Sequence, residues 1–364
     1  MKRIFIIILA VLSMQACGTT AKTNARVSSG KHNYVIGFYN LENLFDTYHD
    51  EGKNDYQFLP DGQNQWTDAK YQKKLSNMAR VINAMKEDNS CWHTILGVCE
   101  VENRNVLEDL VNDPQIIGAN YQIVHYDGPD RRGVDVALLY KPEQFSVIAS
   151  ESIPFTFEGS AIDFSAWTQE EKDNFRTRDI LMVRGMLSGE MFAIFVAHLP
   201  SRIGGKGADL RPRGAEIMYK RAMELEKEFP GIRIVVMGDM NDNPTDVSMT
   251  TYLRGKEHIK DVGEHDFYSP FLSMYKAGYS SLYYRGESNI YDLILVNSQL
   301  AHAPDGGLKI LLINKNGFYG RVFKKDFMTW QSGQYKGTPF RTFSSGAFVG
   351  GFSDHYPTYI VVSK

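Results

Sequence analysis

A chain of 364 residues, 43% of them hydrophobic and 23% charged, holds enough apolar material for a large buried core and too much for a disordered or collagen-like polymer. Its 40 Lys+Arg against 43 Asp+Glu leave a net charge of -3. No global basic excess holds a polyanion, so any site for one must be local.

Lys2 and Arg3 precede an apolar run over residues 4–12, too short to span a bilayer, which takes roughly 20 residues. This reads as an export signal. Ala16 directly before Cys17 resembles a bacterial lipobox, in which the signal is cut and the cysteine thiol carries lipid. The predicted organisation is a signal over residues 1–17, a flexible polar tether over 18–32 and one folded domain over 33–364. It places the protein at the cell envelope, exported and held to a membrane through lipid on Cys17. No protein partner is evident. Cys91 and Cys99 are predicted to be free thiols with structural roles, because an extended stretch between them spans ~25 Å, beyond a disulfide's reach.

Along the chain, strands and helices alternate. Residues 34–39 form a short apolar strand. Tyr71, Leu75, Met78, Ile82 and Met85 recur at helical spacing behind Thr67, a predicted N-cap. Residues 94–101, 133–140, 180–187 and 191–197 read as strands rich in Val, Leu, Ile and Phe. Met218, Ala222, Leu225 and Phe229 stripe a second helix that stops at Pro230-Gly231. Strands over 232–237, 290–296 and 356–362 complete an α/β pattern with no linker to divide it.

Polar residues collect at the strand ends. Glu100 closes one strand, His198 another, and Asp239 and Asn241 follow a third. Asp292 interrupts a fourth, where a lone buried carboxylate needs a partner, and an imidazole is the natural one. Ser353-Asp354-His355 precedes the last strand. Each of these alone reads equally as a turn, a cap or a satisfied core histidine. Five such strand ends together point to a site.

The ordered blocks Asn40-Leu41-Glu42-Asn43, Val98 to Asn103, Ala197 to Arg202, Gly238-Asp239-Met240-Asn241, Tyr291-Asp292 and Ser353-Asp354-His355 resemble the signatures of the endonuclease/exonuclease/phosphatase superfamily. The resemblance implies a four-layer α/β sandwich, two packed mixed β-sheets flanked by helices. It makes Glu100 the principal ligand of Mg²⁺ (or Mn²⁺), with Asn40, Glu42 and Asp354 on the metal side, since hard oxygen donors suit that ion. It assigns the catalytic work to His198, Asp239, Asn241, Asp292 and His355. Asp239 and Asn241 orient water and phosphate, Asp292 holds His355 as base or electrostatic clamp, and His198 contacts the phosphate or the leaving oxygen.

The substrate is less legible. Arg202, Lys206, Arg211 and Arg213 follow His198 and suit a bidentate phosphate grip or the solvated start of a helix. Arg131-Arg132 faces the same choice. Residues 301–350 carry seven Lys+Arg and two acidic residues among interleaved aromatics, a pattern that stacks bases or packs an insertion onto the sandwich. The leading expectation is a divalent-metal-dependent phosphoesterase with a nucleic acid as substrate. The alternatives are a phosphatase or phosphodiesterase of small molecules or phospholipid headgroups, and a non-catalytic envelope binding lipoprotein.

Overall fold

Alternation along the strands sets the layers. In the first strand, Asn33–Leu44, Ile36 and Phe38 point to one face and Val35 and Tyr39 to the other, and all four are buried. A strand buried on both faces needs a layer on each side. One layer is the helix Asp68–Asn89, whose predicted stripe of Tyr71, Leu75, Met78, Ile82 and Met85 is buried against it. The other is a second sheet. Gly97 marks the contact between the sheets: a Cβ there would lie 2.6 Å from the Met237 sulfur. The helix Leu210–Glu228 covers the second sheet with Met218, Ala222 and Leu225. Burying each Leu, Ile or Met among them contributes about 1.5–3 kcal/mol.

The computed structural model describes residues 32–203, 207–312 and 317–364. The predicted signal, the lipid-bearing Cys17, almost all of the tether and Lys206 lie outside the described residues. Residues His32–Lys364 form one compact unit.

The first sheet runs Lys309–Ile310, Thr358–Ser363, Asn33–Leu44, His93–Val101, Asp135–Tyr140, Gln122–His125, and Gly320–Val322 also pairs with Thr358–Ser363. The second runs Phe145–Ile153, Ile180–Leu187, Glu190–His198, Arg233–Asp239, Asp292–Asn297, Phe267–Tyr268, Gly255–Lys256. Both mix parallel and antiparallel pairs. Two packed mixed sheets with flanking helices are the architecture the sequence predicted.

Several elements escaped the reading of periodicity. Phe145–Ile153 is an edge strand, exposed or half-buried over most of its length, so its composition is mixed. The helix Arg104–Val111 is short and capped by Asn103, whose side chain accepts the Val106 N–H at 3.1 Å. Asp292 opens its strand rather than interrupting it. The 301–350 segment is packed: Phe323 is buried, Phe327 lies on Phe352, and Trp330 lies on Phe340. Cys91 and Cys99 are both free. Among the described residues, no helix is long and apolar enough to cross a membrane.

Candidate active site

At one end of the two sheets the strand ladders break, and polar side chains turn inward. Glu100 is the extra residue of a β-bulge: Cys99 and Val101 pair with Val136 and Asp135, while Glu100, at φ 59°, pairs with neither. A bulge bends its strand and re-aims a side chain. Here it delivers the carboxylate to the cleft, where Oε2 accepts the Asn43 N–H at 2.9 Å and Oε1 lies 3.4 Å from Asn40 Nδ2. The neighbouring strand slips register after Asn40, with Glu42 and Asn43 at φ 47° and 54°. Left-handed backbone at such residues is strained by roughly 1–3 kcal/mol each and persists only where other bonds fix it.

The second sheet contributes by register. His198 is paired with Asp239 on a parallel neighbour, and Asp292 with Asp239 on an antiparallel one, so three adjacent strands present a row of titratable side chains. Asp239 is the hub. Its Oδ2 accepts Asn40 Nδ2–H at 3.0 Å and lies 3.7 Å from both His198 Nε2 and His355 Nε2, while Oδ1 accepts the Asn241 N–H at 2.9 Å.

His355 enters from the turn before Thr358–Ser363. Its Nδ1 lies 2.8 Å from Asp292 Oδ2, which also accepts the Ser281 hydroxyl at 2.5 Å. Ser353 ties this turn down: its hydroxyl donates to the Asn40 carbonyl at 2.7 Å and accepts the His355 N–H at 3.1 Å. Asp354 Oδ2 accepts from Arg341 at 3.0 Å, and its Oδ1 is 3.9 Å from His355 Nε2.

Burial sets the electrostatics, and the crowded carboxylates and cations adjust it. Burial, with Asp292 and Glu100 adding to it, pushes Asp239 up to about 7 despite the His355 cation. Burial opposes charge on His355 too, but Asp292 and Asp239 outweigh it and hold the imidazole well above its ordinary value. Burial, Arg178, Arg132 and His355 hold His198 well below its own. The pair therefore divides into a protonated His355 and a neutral His198.

This donor set fits a hard divalent cation. Asp239 and Asp292 offer carboxylate oxygens within 4.8 Å of one another, and the Glu100 carboxylate stands beside them; the protonated His355 has no lone pair to lend and stays outside the donor set. A carboxyl pushed up to about 7 by burial and by the facing carboxylates is a site short of positive charge, which a dication supplies.

Six of the predicted residues, Asn40, Glu100, His198, Asp239, Asp292 and His355, thus converge, with Asp354 at the rim. Others are engaged elsewhere. Glu42 was expected near the metal, but it is buried with its oxygens taken by Arg341 Nε at 3.1 Å and the Thr342 N–H at 2.7 Å, and with Lys74 Nζ at 3.7 Å. These contacts turn it toward Arg341 and Thr342. Asn241 commits its side-chain N–H to the Leu199 carbonyl at 2.9 Å, which leaves its backbone N–H to aim Asp239. Arg202 was expected to grip phosphate, but it binds the Asn241 carbonyl, Asp242 and Asp246 and so braces that loop. Arg211 and Arg213 likewise pair with Asp242 and Glu216. Arg131 is exposed and donates to the Asn174 carbonyl.

Three contributors went unseen in the sequence. Arg178 is buried and donates to the carbonyls of His198 and Leu199 at 3.1 and 2.8 Å; Ser281 and Arg341 act as described above. A serine and two arginines in connecting loops carry no periodic signal. Only the adjacency of Ser353 to Asp354-His355 hinted at its role.

The model of the Endonuclease/Exonuclease/phosphatase family matches residues 35–364, and the chain belongs to that family, whose members hydrolyse phosphoric esters. An endonuclease/exonuclease/phosphatase family protein from Bacteroides thetaiotaomicron superposes with a TM-score of 0.55 at 16% identity, over 92% of this chain and 98% of that one. A mannosyl-6-phosphatase from the same organism gives 0.54 at 16%, over 90% and 99%. D. rerio TDP2, complexed with single strand DNA product, gives 0.51 at 14%, over 91% and 99%. At these identities the likeness is one of fold. No curated protein sequence matches the chain.

Proposed function

We propose that this endonuclease/exonuclease/phosphatase family member hydrolyses phosphate esters of small polar alcohols by in-line attack of water. The observation that carries the reading is Asp239, hydrogen-bonded by Asn40 and Asn241 and flanked at equal distance by a neutral His198 and a protonated His355. Asp239 orients the attacking water and accepts its proton. His355, held by Asp292 and Ser281, keeps its charge and clamps a phosphoryl oxygen. His198, braced through its carbonyl by Arg178, donates a hydrogen bond from its neutral imidazole to a phosphoryl oxygen, and the proton that Asp239 takes from the water is passed on to the leaving alkoxide. Glu100 is the principal holder of Mg²⁺ or Mn²⁺, with Asp239 and Asn40 beside it. When bound, the cation supplies charge stabilisation at the phosphoryl and leaving oxygens.

A nucleic acid is the second reading. It draws on the basic segment 301–350 and on the relative captured with a single strand DNA product. Against it, Arg321 and Lys325 pair with Asp88, and the Phe323 and Phe327 rings pack into the fold. A non-catalytic binder fits less well, because it has no use for a complete set of six converging groups. The proposal includes location: lipid on Cys17 and the tether over 18–32 would hold the domain at the cell envelope.

The test offers the purified domain, with Mg²⁺ or Mn²⁺, small phosphomonoesters, a chromogenic phosphodiester, sphingomyelin, plasmid DNA and RNA in parallel. Chelator-sensitive release of phosphate from a small ester, abolished by His355→Ala, is the expected result. Cleavage of DNA or RNA alone would replace the leading reading with the second.

A further inference from the structure

A cavity of about 320 Å³ opens beside the site, lined among others by Tyr283, Trp330, Tyr335, Arg341, Ser345 and Asp354. We infer that it is the leaving-group pocket and that it takes the ring of a hexose phosphate. This rests on the phosphoesterase reading above and names its substrate class.

Position comes first. Asp354 is shared between the cavity wall and the site, with Oδ1 3.9 Å from His355 Nε2. An alcohol leaving from a phosphate clamped by His355 therefore has the cavity next to it. The walls are also anchored to the chemistry. The hairpin bearing Tyr283 is bridged to His355 through Leu282, and the Ser281 carbonyl accepts the Tyr356 N–H. The opposite wall is closed by the Thr329–Pro339 bridge and by Trp330 N–H to the Thr338 carbonyl at 2.9 Å. With one wall bridged to His355 and the other joined to its neighbour Tyr356 through the Thr329 hydroxyl at 2.8 Å, the pocket is preorganised rather than a gap between loops.

The lining decides the ring. Trp330 has Phe340 against it at 4.6 Å, and its plane meets that of Tyr335 at 42° with centroids 6.3 Å apart. The two rings do not form the parallel-sided slot that sandwiches a flat base. A saturated sugar ring needs one aromatic surface for its C–H face and fixed polar groups for its hydroxyls. The polar groups are here: Arg341, whose fork is locked by Glu42 and Asp354, together with the Asp354 carboxylate and Ser345. Two of the five guanidinium N–H groups are enough for those two carboxylates, so Arg341 keeps donors, and Asp354 an acceptor, for neighbouring hydroxyls.

The experiment compares kcat/KM for a hexose 6-phosphate, for glycerol phosphate, which has no ring, and for a nucleoside 5′-monophosphate. The expected result is a preference for the hexose ester over glycerol phosphate of about tenfold or more, the worth of one aromatic contact. Tyr283→Ala and Tyr335→Ala should each shrink that ratio through KM rather than kcat. Both tyrosines are substantially exposed, at 42% and 37%, so the fold is expected to survive, and circular dichroism checks this. Calorimetric titration of the metal-free protein with hexose 6-phosphate should weaken in the same variants. A ratio unchanged in both variants, or a nucleotide preferred to the hexose ester, overturns the pocket assignment alone. Absence of hydrolysis with every ester overturns the phosphoesterase reading beneath it.

Discussion

Asp239 and Asp292 lie directly opposite one another on neighbouring antiparallel strands, both buried. Like charges so placed destabilise a sheet, and the offsetting group is His355, 2.8 Å from Asp292 and 3.7 Å from Asp239. The fold thus tolerates the pair through a side chain contributed from the turn that leads into a strand of the other sheet.

Removing that imidazole should act on stability and rate together. His355→Ala leaves two facing carboxylates without their cation, and breaking a buried pair costs about 3–5 kcal/mol. Chemical denaturation should register a loss of that order, alongside a fall in kcat of at least about 100-fold. Asp292→Asn keeps the shape and the Ser281 contact, so it should lower kcat with a smaller loss of stability. If both variants unfold alike while keeping wild-type kcat, His355 is structural only.

Glu100→Gln should separate metal binding from folding. The bulge and the Asn43 contact survive an amide oxygen, but the charge facing the cation is gone. Calorimetric titration with Mn²⁺ should show affinity weakened by at least about 100-fold, beyond the usual effect of an outer-shell change. Metal should raise the Tm of the wild-type protein and leave that of Glu100→Gln nearly unmoved.

Glu42 makes the reverse prediction. Its carboxylate is enclosed by Lys74, Arg341 and the Thr342 N–H, and burial lowers the Lys74 ammonium while Glu42 raises it back. Glu42→Ala should strand a buried lysine and destabilise the protein by about 3–5 kcal/mol, with metal affinity changed far less than in Glu100→Gln. Equal loss of metal affinity in the two would restore Glu42 as a ligand.

His93 predicts acid sensitivity away from the site. Its side chain is fully buried, both ring nitrogens lack a hydrogen-bond partner among the described residues, and burial holds it down at about 4 against an ordinary 6.5. The folded state therefore binds this proton less readily than the unfolded state. Its contribution is whole above pH 6.5 and is lost as pH falls from 6.5 towards 4. At pH 5 the loss should be roughly 2 kcal/mol. Urea unfolding of wild type and His93→Leu at pH 7.5 and 5 checks this: the leucine variant should lose correspondingly less on acidification.

Much of the architecture is legible in the order of residues. The helix stripe from Tyr71 to Met85 and the strands around Ile180 and Ile232 follow from periodicity, because a face buried in one layer must repeat with its element. The site residues are visible as polar groups where buried strands end, since an ionisable group at that point is costly unless it is used or paired. Edge elements such as Phe145–Ile153 stay hidden because one face meets solvent and dilutes the apolar pattern.

The sequence by itself determined which residue types stand at which strand ends, and hence the layers and the chemical inventory of the cleft. Tertiary structure alone decided which of those groups are available. Glu42 and Glu100 are both acidic and close to strand ends, yet one is held by Arg341 from 299 positions away and the other is turned into the cleft by a bulge. Arg202 likewise spends its fork on the loop at Asp242. The reason is that a hydrogen bond depends on proximity in space, and partners separated by hundreds of residues leave no mark on spacing or periodicity.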